Sequence, residues 1–253
     1  MNPVSFSITR RHLVLGALAS VALQSRPVDA ATSTQGRKKL AVVLGGGSAR
    51  GFAHIGVIKA LEAGGIHPDL IIGCSAGSLV GAFWAAGYSG TAMEDLAMKV
   101  QDSEVIDLVT GKQQYGLVAG RSLQSFVNKG LGNKPLENLK IPFAAVATRY
   151  PSGDLMVFRE GDAGFAVRAS CSIPGVFMPA SALGSEFLDG GLVSPIPVAT
   201  ARKLGADLIV AVDVGGPDPS TGDSSGLYSV IMRSFEIMSQ SLRQHEVNDA
   251  DIV

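Results

Sequence analysis

Leu70-Ile71-Ile72-Gly73-Cys74-Ser75-Ala76-Gly77-Ser78-Leu79 is the stretch that decides the fold prediction. Its three leading apolar residues predict the end of a buried strand, and the apolar pattern from 78 to 86 predicts a helix. The intervening Gly-x-Ser-x-Gly is the pattern of a nucleophile elbow, a tight turn that exposes a serine at a helix N-terminus. Backbone N–H groups at such a terminus favour developing negative charge. A glycine-rich turn in which Ser75 only caps the helix is the alternative interpretation.

A second glycine-rich turn, Gly45-Gly46-Gly47-Ser48-Ala49-Arg50-Gly51, joins a predicted buried strand at 40–44 to a predicted helix at 52–63. Such a turn either cradles phosphate or directs backbone N–H groups at an oxyanion. The phosphate interpretation fits poorly, because Arg50 stands where a dinucleotide loop needs its third glycine, and no Lys-Ser or Lys-Thr pair follows. Since the elbow serine lies one strand-helix unit downstream, we expect an oxyanion loop beside it, at the carboxyl ends of neighbouring parallel strands.

A serine hydroxyl needs a base before it becomes a good nucleophile, and no histidine is predicted to lie where an α/β hydrolase carries one. The four histidines are His12, His54, His67 and His245. A carboxylate is the remaining candidate, and Asp189-Gly190-Gly191 is a turn whose glycines permit close approach to another backbone. Burial would raise the pKa of Asp189 towards neutrality and make it a general base. A simple turn aspartate is the alternative interpretation.

The three motifs, in this order and at these separations, resemble those of the patatin-like phospholipase family. The similarity runs from about residue 40 to about residue 214 and is closest to the short, single-domain bacterial members. The stretch from Arg168-Ala169-Ser170 to Pro174 also resembles the family's Ser-x-x-x-Pro segment. The resemblance implies an α/β fold with three α/β/α layers around a mostly parallel central sheet. It further implies a lipid acyl hydrolase, or phospholipase A, that needs neither a cofactor nor a metal.

The resemblance also implies a role for each site residue. Asp189 would take the proton of Ser75, and the backbone N–H groups of Gly46, Gly47 and Ala76 would hold the oxyanion. Arg50 would steady the glycine loop or meet a phosphate headgroup. The remaining residues implied in the glycine loop, the elbow and the aspartate turn are Gly45, Gly51, Gly73, Gly77, Gly190 and Gly191. The chain departs from the family pattern at Cys74, where threonine is common, and we expect that side chain to point into the core.

Composition limits the other functions. The 253 residues carry a formal net charge of −1 with 46% hydrophobic residues, so nothing points to a nucleic-acid partner. The two cysteines form no disulfide framework, although a single Cys74–Cys171 bridge is an alternative to two free thiols. The family resemblance implies a lipid or other ester as the partner, with peripheral contact to a membrane surface. A soluble carboxylesterase or thioesterase and a non-catalytic signalling protein on the same scaffold are the competing functions.

The N-terminal pattern is that of an export signal at 1–30. Arg10-Arg11 precedes an apolar stretch at 13–23, and Val28-Asp29-Ala30 offers small residues for cleavage. The paired arginines resemble a twin-arginine signal, while an ordinary secretory signal shares the architecture. We therefore expect a periplasmic or cell-envelope protein, with a spacer at 31–38 and one hydrolase domain at 39–253. Because the family usually continues with another strand and helix, a truncated C-terminus is an alternative to a complete domain.

The remaining pattern predicts less distinctive elements. Thr91 is expected to cap a helix at 91–101, and a short helix is expected at 121–129 within an irregular region. Further strands are predicted at 66–73, 141–148, 155–159 and 207–212, and further helices at 162–169, 199–204 and 227–248.

Overall fold

The computed structural model describes residues 37–109, 115–182, 184–216 and 226–253. The predicted export signal at 1–30 lies outside the described residues, as does most of the predicted spacer at 31–38. Within these ranges no helix is long and apolar enough to cross a membrane.

Seven strands of the described residues form one mixed sheet in the order β5-β6-β3-β2-β1-β7, and β4 pairs with β3 outside this series. The strands are β1 Leu40–Leu44, β2 Leu70–Cys74, β3 Phe143–Tyr150, β4 Leu155–Phe158, β5 Ala180–Ala182, β6 Ser185–Asp189 and β7 Leu208–Val212. The pairs that join β7, β1, β2 and β3 are parallel, whereas the pairs of β4, β5 and β6 are antiparallel. The apolar, β-branched runs of β1 and β2 suit strands that are covered on both faces.

Helices of the described residues cover both faces of this sheet. They are α1 Ala53–Ala63, α2 Ala76–Ala86, α3 Gly90–Ala97, α4 Asp102–Val105, α5 Arg121–Gly130, α6 Ala163–Ser170, α7 Val198–Lys203 and α8 Leu227–Glu246. Side chains alternate along each strand, so β1 directs Val42 and Leu44 into one core and Ala41 and Val43 into another. The first core contains residues of α1, α2, α3, α5 and α6, and the second contains residues of α7. The predicted three-layer α/β/α fold is confirmed.

The helix predicted at 91–101 is wrong at both ends. It begins at Gly90 and is capped by Ser89, whose side-chain oxygen accepts the N–H of Ala92 at 3.2 Å. Thr91 therefore lies inside the first turn instead of capping it. The helix ends at Ala97, and a separate short helix follows at Asp102–Val105. Either Ser89 or Thr91 has a suitable side chain, and Ser89 has the extended backbone, with φ of −76° and ψ of 161°, that is typical of a capping residue.

Two strands also differ from their predicted bounds. The strand predicted at 66–73 begins only at Leu70, because Pro68 has no N–H to donate to a ladder. β3 runs to Tyr150, beyond the predicted end at 148, since Thr148 and Tyr150 pair with Leu188 and Glu186 of β6. This antiparallel pairing with a distant segment leaves no local signal at the end of β3.

The pairing registers bring three turns to one end of the sheet. Leu44 at the end of β1 pairs with Gly73 at the end of β2, so the glycine loop lies beside the elbow. Along β3, Val146 pairs with Cys74 of β2, and the next residue, Ala147, pairs with Asp189 of β6. Ser75 and Asp189 are therefore placed together by strand pairing.

Candidate active site

Ser75 occupies a strained turn between β2 and α2. Its φ of 52° and ψ of −125° lie in a region that side-chain-bearing residues rarely adopt. The flanking glycines are required by space, because a Cβ at Gly73 would overlap the Ser78 backbone and a Cβ at Gly77 would overlap the Leu44 carbonyl oxygen. The helix begins at Ala76, directly after the serine. The turn thus has the geometry of a nucleophile elbow, with Ser75 at a helix N-terminus.

The Ser75 hydroxyl contacts one carboxylate directly. Ser75 Oγ donates to Asp189 Oδ2 at 2.6 Å, and Asp189 Oδ1 accepts the N–H of Gly191 at 2.7 Å. Both side chains are buried, with exposed fractions of 6% for Ser75 and 1% for Asp189. Desolvation raises the pKa of Asp189 to about 7, although the hydrogen bonds from Ser75 and Gly191 act in the opposite direction. A buried carboxyl group with such a pKa is well matched to accept a proton near neutral pH.

The histidine nearest in sequence to the glycine loop, His54, contacts the backbone of that loop and not the Ser75 hydroxyl. His54 is fully buried, and its Nε2–H donates to the Gly45 carbonyl oxygen at 2.8 Å. Desolvation lowers the pKa of His54, so the ring is held neutral. His245 is equally occupied within α8, where its Nδ1–H donates to the Ser241 carbonyl oxygen at 2.8 Å. In the described residues, Asp189 is thus the titratable group that hydrogen-bonds the Ser75 hydroxyl.

The glycine loop differs from its predicted form in one donor. The N–H of Gly46 donates to the Pro195 carbonyl oxygen at 2.9 Å, so it is already occupied, contrary to its predicted role towards an oxyanion. Gly46 still lies against the nucleophile, since a Cβ built on it would lie 3.5 Å from Ser75 Cβ. The N–H groups of Gly47 and Ala76 have no acceptor within the part of the chain that the structure describes. Of the three amides predicted to hold an oxyanion, these two are therefore unoccupied within the described residues.

Arg50 and Gly51 fix the far end of this loop. Arg50 Nε donates to the Val214 carbonyl oxygen at 3.1 Å, and its Nη2 lies 3.8 Å from Glu236 Oε1. Gly51 packs so closely on α2 that a Cβ there would overlap the Cβ of Ala76. Arg50 therefore ties the glycine loop to the segment after β7 and to α8.

Several contacts that hold the site come from residues without an individually predicted role. Ser170 Oγ accepts the N–H of Ser75 at 2.8 Å, and the Ser172 carbonyl oxygen accepts the N–H of Asp189 at 2.9 Å. Thr148 Oγ1 donates to the Asp189 carbonyl oxygen at 2.8 Å. The Ser170-to-Pro174 stretch carried a signal in its family resemblance, although that signal did not indicate a contact with the elbow.

The end of α8 supports the loop whose carbonyl oxygen accepts the Gly46 N–H. Glu246 Oε2 accepts the N–H of Ile196 at 2.7 Å, and Glu246 Oε1 accepts the Ser194 hydroxyl. Pro195, between these two residues, supplies the carbonyl oxygen that accepts the Gly46 N–H. Desolvation raises the pKa of Glu246, while the hydrogen bonds from Ser194 and Ile196 favour its charged form.

Ser75 lies at the junction of an apolar and a polar cavity. The apolar cavity has a volume of about 270 Å³ and begins at Ser75 and Ala76. It is lined by side chains that include Ile55, Leu79, Phe83, Leu96, Leu123, Phe126 and Phe177. The polar cavity has a volume of about 150 Å³ and also contains Asp189 in its wall. Its lining includes Gly47, Arg50, Phe235, Glu236, Ser239 and Arg243.

The two cysteines are free and buried on opposite faces of the sheet. Cys74 packs in the core that contains α7, and Cys171 packs in the core that contains α2. Desolvation raises the pKa of both thiols. The inward orientation predicted for Cys74 is confirmed, and the alternative Cys74–Cys171 bridge is wrong. The described residues contain no cluster of three or more His, Cys, Asp or Glu side chains that could hold a metal ion.

Comparison with known proteins places this geometry in a family. A sequence profile described as patatin-like phospholipase matches residues 42–202. Lysophospholipase NTE1 of Coccidioides immitis is 38% identical in an alignment of 207 residues that covers 78% of this chain and 13% of that protein. An uncharacterized NTE family protein of Mycobacterium tuberculosis is 34% identical over 194 residues, covering 76% of this chain and 54% of the relative. The chain thus spans about half or less of the length of these relatives.

A solved structure is also similar in part. VipD from Legionella pneumophila aligns with 61% of this chain and 46% of its own, with a TM-score of 0.47 and 16% sequence identity. The profile match includes the glycine loop, the elbow and the aspartate turn. The chain therefore belongs to the patatin-like phospholipase family.

Proposed function

We propose that this protein is a serine hydrolase that cleaves acyl esters of lipids, with Ser75 as nucleophile and Asp189 as general base. The observation that carries this proposal is the 2.6 Å hydrogen bond from Ser75 Oγ to Asp189 Oδ2 within a buried site. The raised pKa of Asp189, about 7, is consistent with a carboxylate that exchanges a proton with a substrate group near neutral pH.

The chemistry needs two proton transfers in each half-reaction. Asp189 takes the Ser75 proton while Oγ attacks the ester carbonyl carbon, and the carbonyl π electrons move onto the oxygen. The N–H groups of Gly47 and Ala76 hold that oxyanion, and removal of one such donor typically costs about 3 kcal/mol of transition-state stabilisation. The intermediate collapses to an acyl-Ser75, and the leaving alcohol takes the proton from Asp189. Water then repeats the sequence and releases the acid.

The apolar cavity supports a lipid acyl group as the substrate part that Ser75 attacks. Its wall is formed by aliphatic and aromatic side chains, so a long acyl chain would bury there without leaving polar groups unpaired. A fungal relative is named a lysophospholipase, which is consistent with a lipid ester as substrate. Because the chain spans only part of the length of its relatives, the proposal covers ester hydrolysis and does not extend to any other function of those longer proteins.

We also propose that the protein is exported, on the basis of the paired arginines, apolar stretch and small residues at 1–30. The hydrolase domain would then begin at about residue 39. A cell-envelope location would bring the site to lipid surfaces, which it would contact peripherally.

Labelling of the purified protein with a fluorophosphonate probe tests the activated serine. We expect one adduct, located on Ser75 by mass spectrometry, and its absence in Ser75→Ala. Ser152→Ala, in an exposed turn, is the matched control and should label like the wild type. We expect Asp189→Asn to remain folded and to lose ester hydrolysis. Full activity in Asp189→Asn would contradict the dyad.

Rates of ester hydrolysis, together with the labelling result, separate the competing functions. A wild type that hydrolyses long-chain lipid esters faster than short, soluble esters supports the lipid assignment. The reverse preference would favour a carboxylesterase or thioesterase. No adduct in a demonstrably folded sample would contradict the activated serine and favour a non-catalytic scaffold.

A further inference from the structure

The polar cavity beside Ser75 is closed by one face of α8. Phe235, Glu236, Ser239 and Arg243 of that helix line it, opposite the glycine loop and Asp189. The mechanism above uses none of these helix residues. Since the apolar cavity accounts for the acyl part of an ester, the polar cavity is the space left for the alcohol part.

Arg243 is the unusual member of this wall. Its exposed fraction is 7%, yet its buried Nε has no hydrogen-bond partner within the described residues. Its ion-pair partner is Asp213, whose Oδ1 lies 3.4 Å from Arg243 Nε. A guanidinium carries five N–H donors, and burying such donors without acceptors is costly. An anion in the cavity would satisfy them.

The position of this guanidinium is fixed by close packing. It lies against the backbone of Gly215, where a Cβ would overlap the Arg243 guanidinium carbon. Asp213 Oδ1 also accepts the N–H of Gly215 at 2.8 Å, which holds the same segment in place. The group is thereby held at the cavity wall before any ligand arrives, which lowers the ordering cost of binding.

The charges around the cavity favour an anionic ligand. Arg50 and Arg243 both line it, and the acidic side chains in its wall are Glu236 and Asp189, whose pKa desolvation raises to about 7. Glu236 is itself neutralised, because Arg233 Nη1 lies 2.8 Å from its Oε2 and Arg50 Nη2 lies 3.8 Å from its Oε1. Within the described residues, the ion-pair partner of Arg243 is Asp213, at the longer distance of 3.4 Å.

We propose that the polar cavity is the leaving-group subsite and that Arg243 there binds the phosphate of an ester whose alcohol carries one. Arginine suits this task because its planar fork matches phosphate oxygens with paired hydrogen bonds. The inference rests on the proposed function, since the cavity is a leaving-group subsite only if Ser75 attacks the ester. Arg243 acts here as a specificity-determining residue towards substrate.

The test compares two esters with the same acyl chain, lysophosphatidic acid and the corresponding monoacylglycerol. In Arg243→Met we expect kcat/KM for lysophosphatidic acid to fall by about 10- to 100-fold relative to monoacylglycerol, as for loss of hydrogen bonds to a charged group. Exposed Arg159→Met is the matched control and should leave the ratio unchanged. Arg243→Lys keeps a charge without the fork, and should lower the ratio even if Arg243→Met folds poorly.

Asp213→Asn distinguishes phosphate recognition by Arg243 from a purely structural role of Arg243 towards the segment after β7. If Arg243 only holds the segment after β7 through Asp213, both Asp213→Asn and Arg243→Met should reduce both substrates equally, and that result would overturn the subsite. We expect instead that Asp213→Asn keeps or increases the preference for the phosphate ester, because it removes a competing anion. An unchanged substrate ratio in Arg243→Lys and Arg243→Met would overturn the subsite as well.

Calorimetric titration of the wild type with glycerol 3-phosphate and with inorganic phosphate keeps the two proposals distinct. Binding of glycerol 3-phosphate that is lost in Arg243→Lys supports phosphate recognition by Arg243 even in a protein that hydrolyses neither ester, and the missing hydrolysis would refute the proposed function. Equal binding of inorganic phosphate, with no change in the substrate ratio, would identify a free-anion site and overturn the leaving-group assignment.

Discussion

Replacement of Asp189 by asparagine should stabilise the protein, and by an amount that depends on pH. Asparagine keeps an oxygen that accepts the Gly191 N–H and fills nearly the same volume, but it never carries a charge. The wild-type carboxylate is fully buried, and desolvation is the largest cause of its raised pKa. Ionising this group inside the folded protein therefore opposes folding, a cost tolerated at functional sites.

The magnitude follows from the two pKa values. The pKa of Asp189 rises from 3.8 to about 7 on folding, so the native state holds the proton more tightly than the unfolded chain. The stability that this proton contributes is fully present below pH 3.8 and is lost as the pH rises through about 7. The difference between the two pKa values, at 1.36 kcal/mol per pKa unit, corresponds to a change of at most about 4 kcal/mol in the free energy of unfolding.

Urea unfolding at pH 4, 6 and 8 measures the effect through the fluorescence of Trp84, the single tryptophan, which is buried. We expect the free energy of unfolding of Asp189→Asn to exceed that of the wild type by up to about 4 kcal/mol at pH 8 and by less than about 1 kcal/mol at pH 4. The exposed Asp95→Asn serves as the control and should give a difference that does not change with pH. A constant or reversed difference for Asp189→Asn would refute the raised pKa and the base role drawn from it.

Three further results are expected. Gly77→Ala should destabilise the fold by about 3 kcal/mol or more, because its Cβ would overlap the last carbonyl of β1, whereas Gly56→Ala in α1 has open space and should stabilise it by about 0.5–1 kcal/mol in the same urea assay. Ala97→Phe should narrow the apolar cavity and lower kcat/KM for a long acyl ester about 10-fold relative to a short one; an equal loss for both would argue against an acyl site. Cys74 and Cys171 should resist iodoacetamide in the native protein and react in urea, since burial raises the pKa of both thiols; rapid native labelling would contradict their burial.

The sequence predicts the framework well because its signals are local. β1 and β2 are short apolar runs that end in glycine-rich turns, and each turn is followed by a helix. The order of these units indicates a parallel centre with a site at the carboxyl ends of the strands. The pairing of β3 with β6 is different, because it joins segments about forty residues apart with no local pattern to announce the register.

Within the candidate site, the residue types are predictable and their hydrogen-bond partners are not. Ser75 and Asp189 stand in recognisable motifs, and the structure places them in contact. The occupied N–H of Gly46 depends on Pro195, and the N–H of Ser75 finds Ser170, 95 residues away. The sequence pattern assigns all amides of a glycine loop the same role, whereas in the folded chain some of them donate hydrogen bonds that hold the loop in place.

The adjacent pairing of Cys74 and Asp189 along β3 has a consequence for how such proteins diversify. Their partners, Val146 and Ala147, are consecutive, so sheet hydrogen bonds fix the separation between the elbow and the aspartate turn, which hold the proposed nucleophile and base. The surrounding walls come instead from helices such as α3, α5 and α8. Substitutions on those helices would accumulate during evolution and change which ester is accepted, while the reactive pair stays in register. Libraries confined to the helix faces should accordingly yield new selectivities at little risk to the hydrolytic step.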